Sequence, residues 1–186
     1  MLVGCGSSPA LIRISPQALV LRLSQLPYPG FVKEKGSSNS GVISNKKVAG
    51  GAPAVLRRIQ AQGRESGYIA TYDREVSPQE VVGPVVIESA AVTYKTAAGA
   101  ASGFALEKKA LASASWEQVS TGKLGEQAVA FTETKEVDQT EYQSFVLDWR
   151  QANVVNEIRI AGNAATLDLT YALTLARVQQ RTEARS

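Results

Sequence analysis

The sequence contains no histidine, one cysteine and one methionine in 186 residues. Without histidine there is no Ser–His–Asp or Cys–His nucleophile and no imidazole metal centre. A lone cysteine excludes an internal disulfide framework and a CxxC zinc site. Aromatic residues amount to 6%. No apolar run approaches the roughly 20 residues that a membrane-spanning helix needs. Lys123-Leu124-Gly125 lacks the spacing of a phosphate-binding loop. No catalytic residue, metal or cofactor is therefore expected.

What is present is an ordinary globular composition, 44% hydrophobic and 20% charged, long enough to bury one sizeable core. The net charge is +3 and the pI near 9.0. Basic residues are dispersed, and the nearest approach to a cluster is Lys46, Lys47, Arg57, Arg58 and Arg64. These residues read either as a solvated helix face or as a patch for an anionic partner such as a phosphate headgroup or anionic glycan. No aromatic residue interleaves with them, so there is no stacking platform and no nucleic-acid partner is expected.

Period-2 alternation predicts strands over 19–23, 31–35, 42–44, 67–75, 85–94 and 125–135, and a hairpin over 141–149 and 154–161. Phe145, Leu147 and Trp149 share one side of that hairpin and should face a helix layer. Its turn is Gln151-Ala152-Asn153, with Asn153 the residue best suited to positive φ. Helices are predicted near 53–62, 97–114 and 164–182. Pro53 suits a first turn, Thr96 a cap, and Leu167, Tyr171, Leu175 and Val178 form a stripe. Gly99 and Gly103 read as points of close packing rather than a membrane dimer motif.

The fold class implied is α+β, a two-layer sandwich of one antiparallel sheet with about three helices on one face. Residues 1–10 read as a flexible tether and 11–186 as a single domain. Strand, strand, helix occurs twice, over 68–111 and 145–178, which fits either a duplication or two ways of covering one sheet. Any general base must be a carboxylate, lysine or tyrosine. Glu88, Asp148 and Glu157 lie in predicted strands, where alternation sends Asp148 and Glu157 to solvent beside Arg150 and Arg159. Trp116 and Trp149 line either a ligand cleft or the core.

Leu2-Val3-Gly4-Cys5, followed by Gly6-Ser7-Ser8-Pro9, resembles the lipobox and tether of bacterial envelope lipoproteins. The resemblance implies a diacylglycerol anchor at Cys5. Only Met1 precedes the box, so it also implies a signal sequence truncated upstream; as it stands the chain would stay cytoplasmic. Residues 85–182 resemble PsbP-like α/β sandwich lipoproteins of unassigned activity. The markers are Val92-Thr93-Tyr94-Lys95-Thr96, the helix carrying Phe104, Lys123 to Ala128, Phe145 to Arg150 and Asn153-Val154-Val155. Relatives often carry Arg-x-Gly-Asn at the turn, where this chain has Ala152. The resemblance implies a non-catalytic lipoprotein on the extracytoplasmic face of the cell envelope. It would act as a binding or accessory domain for a small ligand, glycan or envelope protein. The alternatives are a carboxylate-based hydrolase and a purely structural assembly domain.

Overall fold

Among the described residues, alternating sequence becomes an eight-stranded sheet in which every pairing is antiparallel. The computed structural model describes residues 10–34, 40–74 and 82–183. The strands are β1 (Phe31–Lys33), β2 (Gly41–Ile43), β3 (Arg64–Arg74), β4 (Pro84–Tyr94), β5 (Glu117–Val119), β6 (Gln127–Val137), β7 (Thr140–Gln151) and β8 (Val154–Asn163). Their order is β1-β3-β4-β8-β7-β6-β5, with β2 also paired to β3. Five α-helices accompany them among the described residues: α1 (Pro16–Leu19), α2 (Asn45–Ala49), α3 (Pro53–Ala61), α4 (Ala97–Ala112) and α5 (Leu169–Glu183).

The class is α+β with one antiparallel sheet, as the sequence implies, but the helices do not share a face. Phe145, Leu147 and Trp149 of β7, with Ile158 and Ile160 of β8, pack against Ala172, Leu175 and Ala176 of α5. The opposite positions, Val129 and Phe131 of β6, Tyr94 of β4 and Val155 of β8, pack against Ala100 and Phe104 of α4. The two-layer expectation is corrected to helix, sheet, helix. Apolar residues occupy both sides of the central strands, so each side needs its own cover.

The faces also decide between duplication and coincidence. Antiparallel neighbours such as β4 and β8 are exchanged by a rotation about an axis perpendicular to the sheet, and that rotation keeps each helix on its own face. The helices following β4 and β8 lie on opposite faces. The repeated strand, strand, helix order is therefore two separate solutions to covering one sheet.

Local chemistry sets the helix ends. Pro16 and Pro53 open α1 and α3. Thr96 Oγ1 accepts from the Gly99 amide at 3.0 Å, capping α4. A Cβ on Gly99 would strike the Gln62 carbonyl, and one on Gly103 the Tyr94 hydroxyl, so these two glycines let α4 close on α3 and on the sheet.

Residues 19–23 are not a strand. Leu19 ends α1, and Leu23–Gln25 form a 3-10 turn. The Leu21 amide donates to Ser89 Oγ at 2.9 Å instead of to a ladder, which seats Leu19 and Leu21 in the core as a cap over the sheet. Helix α2 and strand β5 are short additions that periodicity did not mark. At the β7–β8 turn it is Ala152, at φ 49°, that takes the left-handed conformation. Asn153 is buried, and its Nδ2 donates to the Tyr94 carbonyl at 2.9 Å while its Oδ1 accepts from the Ile12 amide at 2.7 Å. Its conformational freedom is not used; its hydrogen bonds are. Cys5, with residues 1–9 of the expected tether, lies outside the described residues, as do Lys35 and the segment around Pro78.

Candidate functional site

On the α4 side, the sheet is covered unevenly. Two cavities of about 180 and 340 Å³ meet along Val48, Arg64 and Glu107, forming a trough between α2, α3, α4 and the sheet. The smaller one has an apolar floor in Ile69, Val92 and Val155, with Glu157 beside them. The larger runs between α3 and α4, past Arg58 and Tyr94. A third cavity of about 420 Å³ lies by α1, against Lys33, Tyr68 and Tyr72. It is larger but chemically quieter: the Tyr72 hydroxyl is already spent, donating to the Leu21 carbonyl at 2.6 Å.

The trough is built over carboxylates. Strand register places Asp148 of β7 directly opposite Glu157 of β8 and Val129 of β6. Glu88 of β4 stands opposite Arg159. Arg159 reaches Glu157 at 3.4 Å and Glu88 at 3.8 Å, and its guanidinium lies 6.0 Å from the Trp116 ring. Arg64 is only 8% exposed, and its Nη1 donates to Asn45 Oδ1 at 2.6 Å and to the Ile43 carbonyl at 3.1 Å. Asp148 is 1% exposed, and neither of its carboxylate oxygens has a hydrogen-bond partner.

These surroundings shift proton affinities in one direction. Burial pushes the Asp148 carboxyl well above the ordinary range; Glu157 and then Glu107 raise it further, and Arg159 opposes them. Burial, reinforced by Glu157 and opposed by Arg64, pushes Glu107 up to about 7. Burial also raises Glu88, against the pull of Arg159. Desolvation is the dominant cause in each case, because the low-dielectric surroundings penalise the ionised form.

Asp148 is thus a correction to the sequence reading. It is not a solvent-facing partner of Arg150, which instead binds Glu126 at 2.6 Å. The expected Glu157–Arg159 contact is present. Trp149 is fully buried in the α5-side core, and Trp116 packs against the α4-side core. Of the basic residues, Lys46 and Lys47 are exposed on α2 and Arg57 and Arg58 on α3, whereas Arg64 turns inward to the trough. Among the described residues no group of three or more acidic or cysteine side chains is placed to hold a metal ion. No described helix is long and apolar enough to cross a membrane.

The sequence reading did not single out Glu107. A usable signal existed for the second covered face: Phe145-Val146-Leu147-Asp148-Trp149 is nearly continuous in apolar residues, the mark of a strand buried on both sides.

No protein-family model matches the chain, and no curated protein matches it in sequence. Among solved structures it is similar to the extracellular domain of PknH from Mycobacterium tuberculosis. The TM-score is 0.59 and the identity 14%, over 92% of this chain and 97% of that one. The neighbour is an extracellular bacterial domain, and at this identity the likeness extends to the fold alone.

Proposed function

We propose that the chain is an extracytoplasmic, non-catalytic binding domain whose ligand enters the trough beneath α4. The observation that carries this is an open, partly apolar trough lined by Glu107 and Glu157, with the buried, unpartnered Asp148 opposite Glu157 on the neighbouring strand. A purely structural domain has no use for that arrangement, because an unsatisfied buried polar group costs about 1–3 kcal/mol and more when charged. Location outside the cytoplasm draws support from the extracellular structural neighbour and from the lipobox-like Leu2-Val3-Gly4-Cys5. In this reading Cys5 carries the lipid anchor, residues 1–10 form the tether, and residues 11–186 form the domain it presents. The basic face of α2 and α3, Lys46, Lys47, Arg57 and Arg58, would then meet anionic headgroups or glycans.

Native mass spectrometry of the protein after incubation with a small-molecule extract of bacterial envelope tests the trough. The wild-type protein should retain a small-molecule mass, and Val48→Trp, which narrows both cavities at their junction, should not. Equal retention by the two would remove the trough as the site. Expression with a lipoprotein signal restored ahead of Met1, followed by mass analysis of Cys5, tests the anchor.

A carboxylate-based hydrolase is the second reading. Glu107 and Glu157 line one cavity, and a carboxyl pushed up to about 7 suits a general acid. Binding ranks first because Arg159 already holds Glu157, leaving no free carboxylate opposite Glu107. Glycoside turnover lost in both Glu107→Gln and Glu157→Gln would reverse that order.

A further inference from the structure

The cavity of about 420 Å³ by α1 lies on the α5 side of the sheet and shares no described lining residue with the trough. Its size falls within the range of small-molecule sites, roughly 300–1,000 Å³. It exists because residues 20–23 arch over β3 and β4 without joining the ladder. The arch is pinned at Leu21, whose carbonyl accepts from the Tyr72 hydroxyl at 2.6 Å and whose amide donates to Ser89 Oγ at 2.9 Å. The Arg22 amide donates to Gln25 Oε1 at 2.7 Å, which fixes the 3-10 turn that follows. The wall is therefore preformed.

Strand register sorts the charge around it. Val32 pairs with Asp73 and Lys33 with Tyr72, and the Glu34 amide continues the ladder to the Thr71 carbonyl at 3.0 Å. Alternation puts Lys33 and Tyr72 on the cavity side and sends Glu34 and Asp73 to the other. Arg22 joins Lys33 from the arch, so the described lining holds two cations and no carboxylate. Neither cation has an ion-pair partner among the described residues. Lys33 Nζ lies 5.7 Å from the centre of the Tyr68 ring. Ser15 and Gln17 add neutral polar groups, and the remaining wall is apolar or aromatic. Leu23 is part of that wall and is still 46% exposed.

We infer that this cavity binds an amphiphilic anion, a carboxylate or phosphate on an apolar body, with the anion between Arg22 and Lys33 and the body against Val20, Leu23 and the Tyr68 ring. The site is separate from the trough and does not rest on it. Two cations without an opposing carboxylate repel an ammonium and attract an anion. A guanidinium fork beside an ammonium suits the oxygens of either a carboxylate or a phosphate. A bare inorganic anion would leave Leu23 and Val20 uncovered, whereas an apolar body removes that surface from water. The same chemistry occurs on free small molecules and on lipid headgroups, and the experiment separates them.

Octanoate, octyl phosphate, octanol and octylammonium share one chain length and can be titrated by calorimetry against the wild-type protein at pH 8. Octanoate and octyl phosphate should each bind at least about 5-fold more tightly than octanol, the scale of two partly solvated ion pairs, and octylammonium more weakly than octanol. Lys33→Gln and Arg22→Gln should each remove part of that preference and the double variant all of it, with octanol binding kept. Both residues are exposed, so these variants leave the fold in place. Lys108→Gln, which removes an exposed charge on α4, should leave the preference unchanged. Sedimentation with phosphatidylcholine vesicles, with and without phosphatidylglycerol, then names the source. Vesicle binding that needs phosphatidylglycerol and is lost in the double variant supports the assignment with a lipid headgroup as ligand. Anion binding in solution without such vesicle binding supports it with a free small molecule. Equal binding of octanoate and octanol, a preference that survives the double variant, or one that falls equally in Lys108→Gln overturns the assignment. So does loss of octanoate binding in Val48→Trp, which would place the probe in the trough, and so does binding of none of the four.

Discussion

Strand β7 presents two different solutions on its two sides. Toward α5 it shows Phe145, Leu147 and Trp149, and Ser89, Gln179 and Asn156 on that side form a hydrogen-bonded chain, with the neutral N–H groups Trp149 Nε1 and Asn156 Nδ2 left unpaired. Ser89 Oγ donates to Gln179 Oε1 at 2.6 Å, and Gln179 Nε2 donates to the Ala90 carbonyl at 3.0 Å and Asn156 Oδ1 at 3.1 Å. Toward α4 the same strand shows Val146 and Asp148, and Asp148 is left without a hydrogen bond. Burial is equally complete on both sides at these positions. The difference lies in which groups go unpaired: the α5 side leaves only neutral N–H groups, whereas the α4 side leaves a carboxyl whose ionised form is costly and which therefore favours a proton. The unpaired group on the α4 face is the costlier of the two kinds.

The sharpest way to break this comparison is at Trp149. Replacing it with alanine should cost about 3–5 kcal/mol in urea denaturation, the range for deleting a buried aromatic, against a typical total of about 5–15 kcal/mol. A neutral result would show that the α5 face is not the stabilising one. Next is Gln179→Leu, which leaves the Ala90 carbonyl and Asn156 without their donor and should cost about 2 kcal/mol or more. If it is tolerated, the network is incidental.

The opposite sign is expected across the sheet. Asp148→Asn should stabilise the protein at pH 8 by about 1–2 kcal/mol, because it removes a buried group that is costly to ionise. The pH dependence follows the same logic. Asp148, Glu107 and Glu88 all have folded proton affinities raised above those of the unfolded chain. Between pH about 4.5 and 7 the folded state then holds more protons than the unfolded state, so stability is greatest at the acidic end and is lost as pH rises through about 7. The melting temperature should be higher at pH 5 than at pH 8, and Asp148→Asn with Glu107→Gln should flatten the difference. A rise in melting temperature with pH would show that these carboxylates are ionised at little cost.

The smallest effect is expected at the β7–β8 turn. Ala152 sits at φ 49°, where a Cβ is disfavoured and glycine is not. Ala152→Gly should stabilise by up to about 1 kcal/mol, read in the same urea melts. Destabilisation would mean that the buried Ala152 methyl contributes more by packing than the backbone loses by strain.

Much of the fold was legible because it is written locally. Trp149, Leu147 and Phe145 alternate with period 2, and Leu167 and Leu175 recur with helical spacing, so the hairpin, the last helix and their contact follow from the pattern. The site was less legible. Asp148 was read as solvent-exposed because a charged residue in an alternating strand ordinarily marks the wet face. Only the cover supplied by α4, distant in sequence, makes it buried.

What the sequence by itself determined is what each segment prefers: which residues alternate, where Pro53 and Thr96 can start helices, and which chemistries the lack of histidine removes. Only the tertiary structure decided which face each helix covers, that Arg64 turns inward, and that Glu107 and Asp148 meet beneath one helix. The reason is physical. Periodicity is a property of neighbours along the chain, whereas desolvation and charge balance depend on groups brought together from β3, β4, β7, β8 and α4, and no local pattern records that sum.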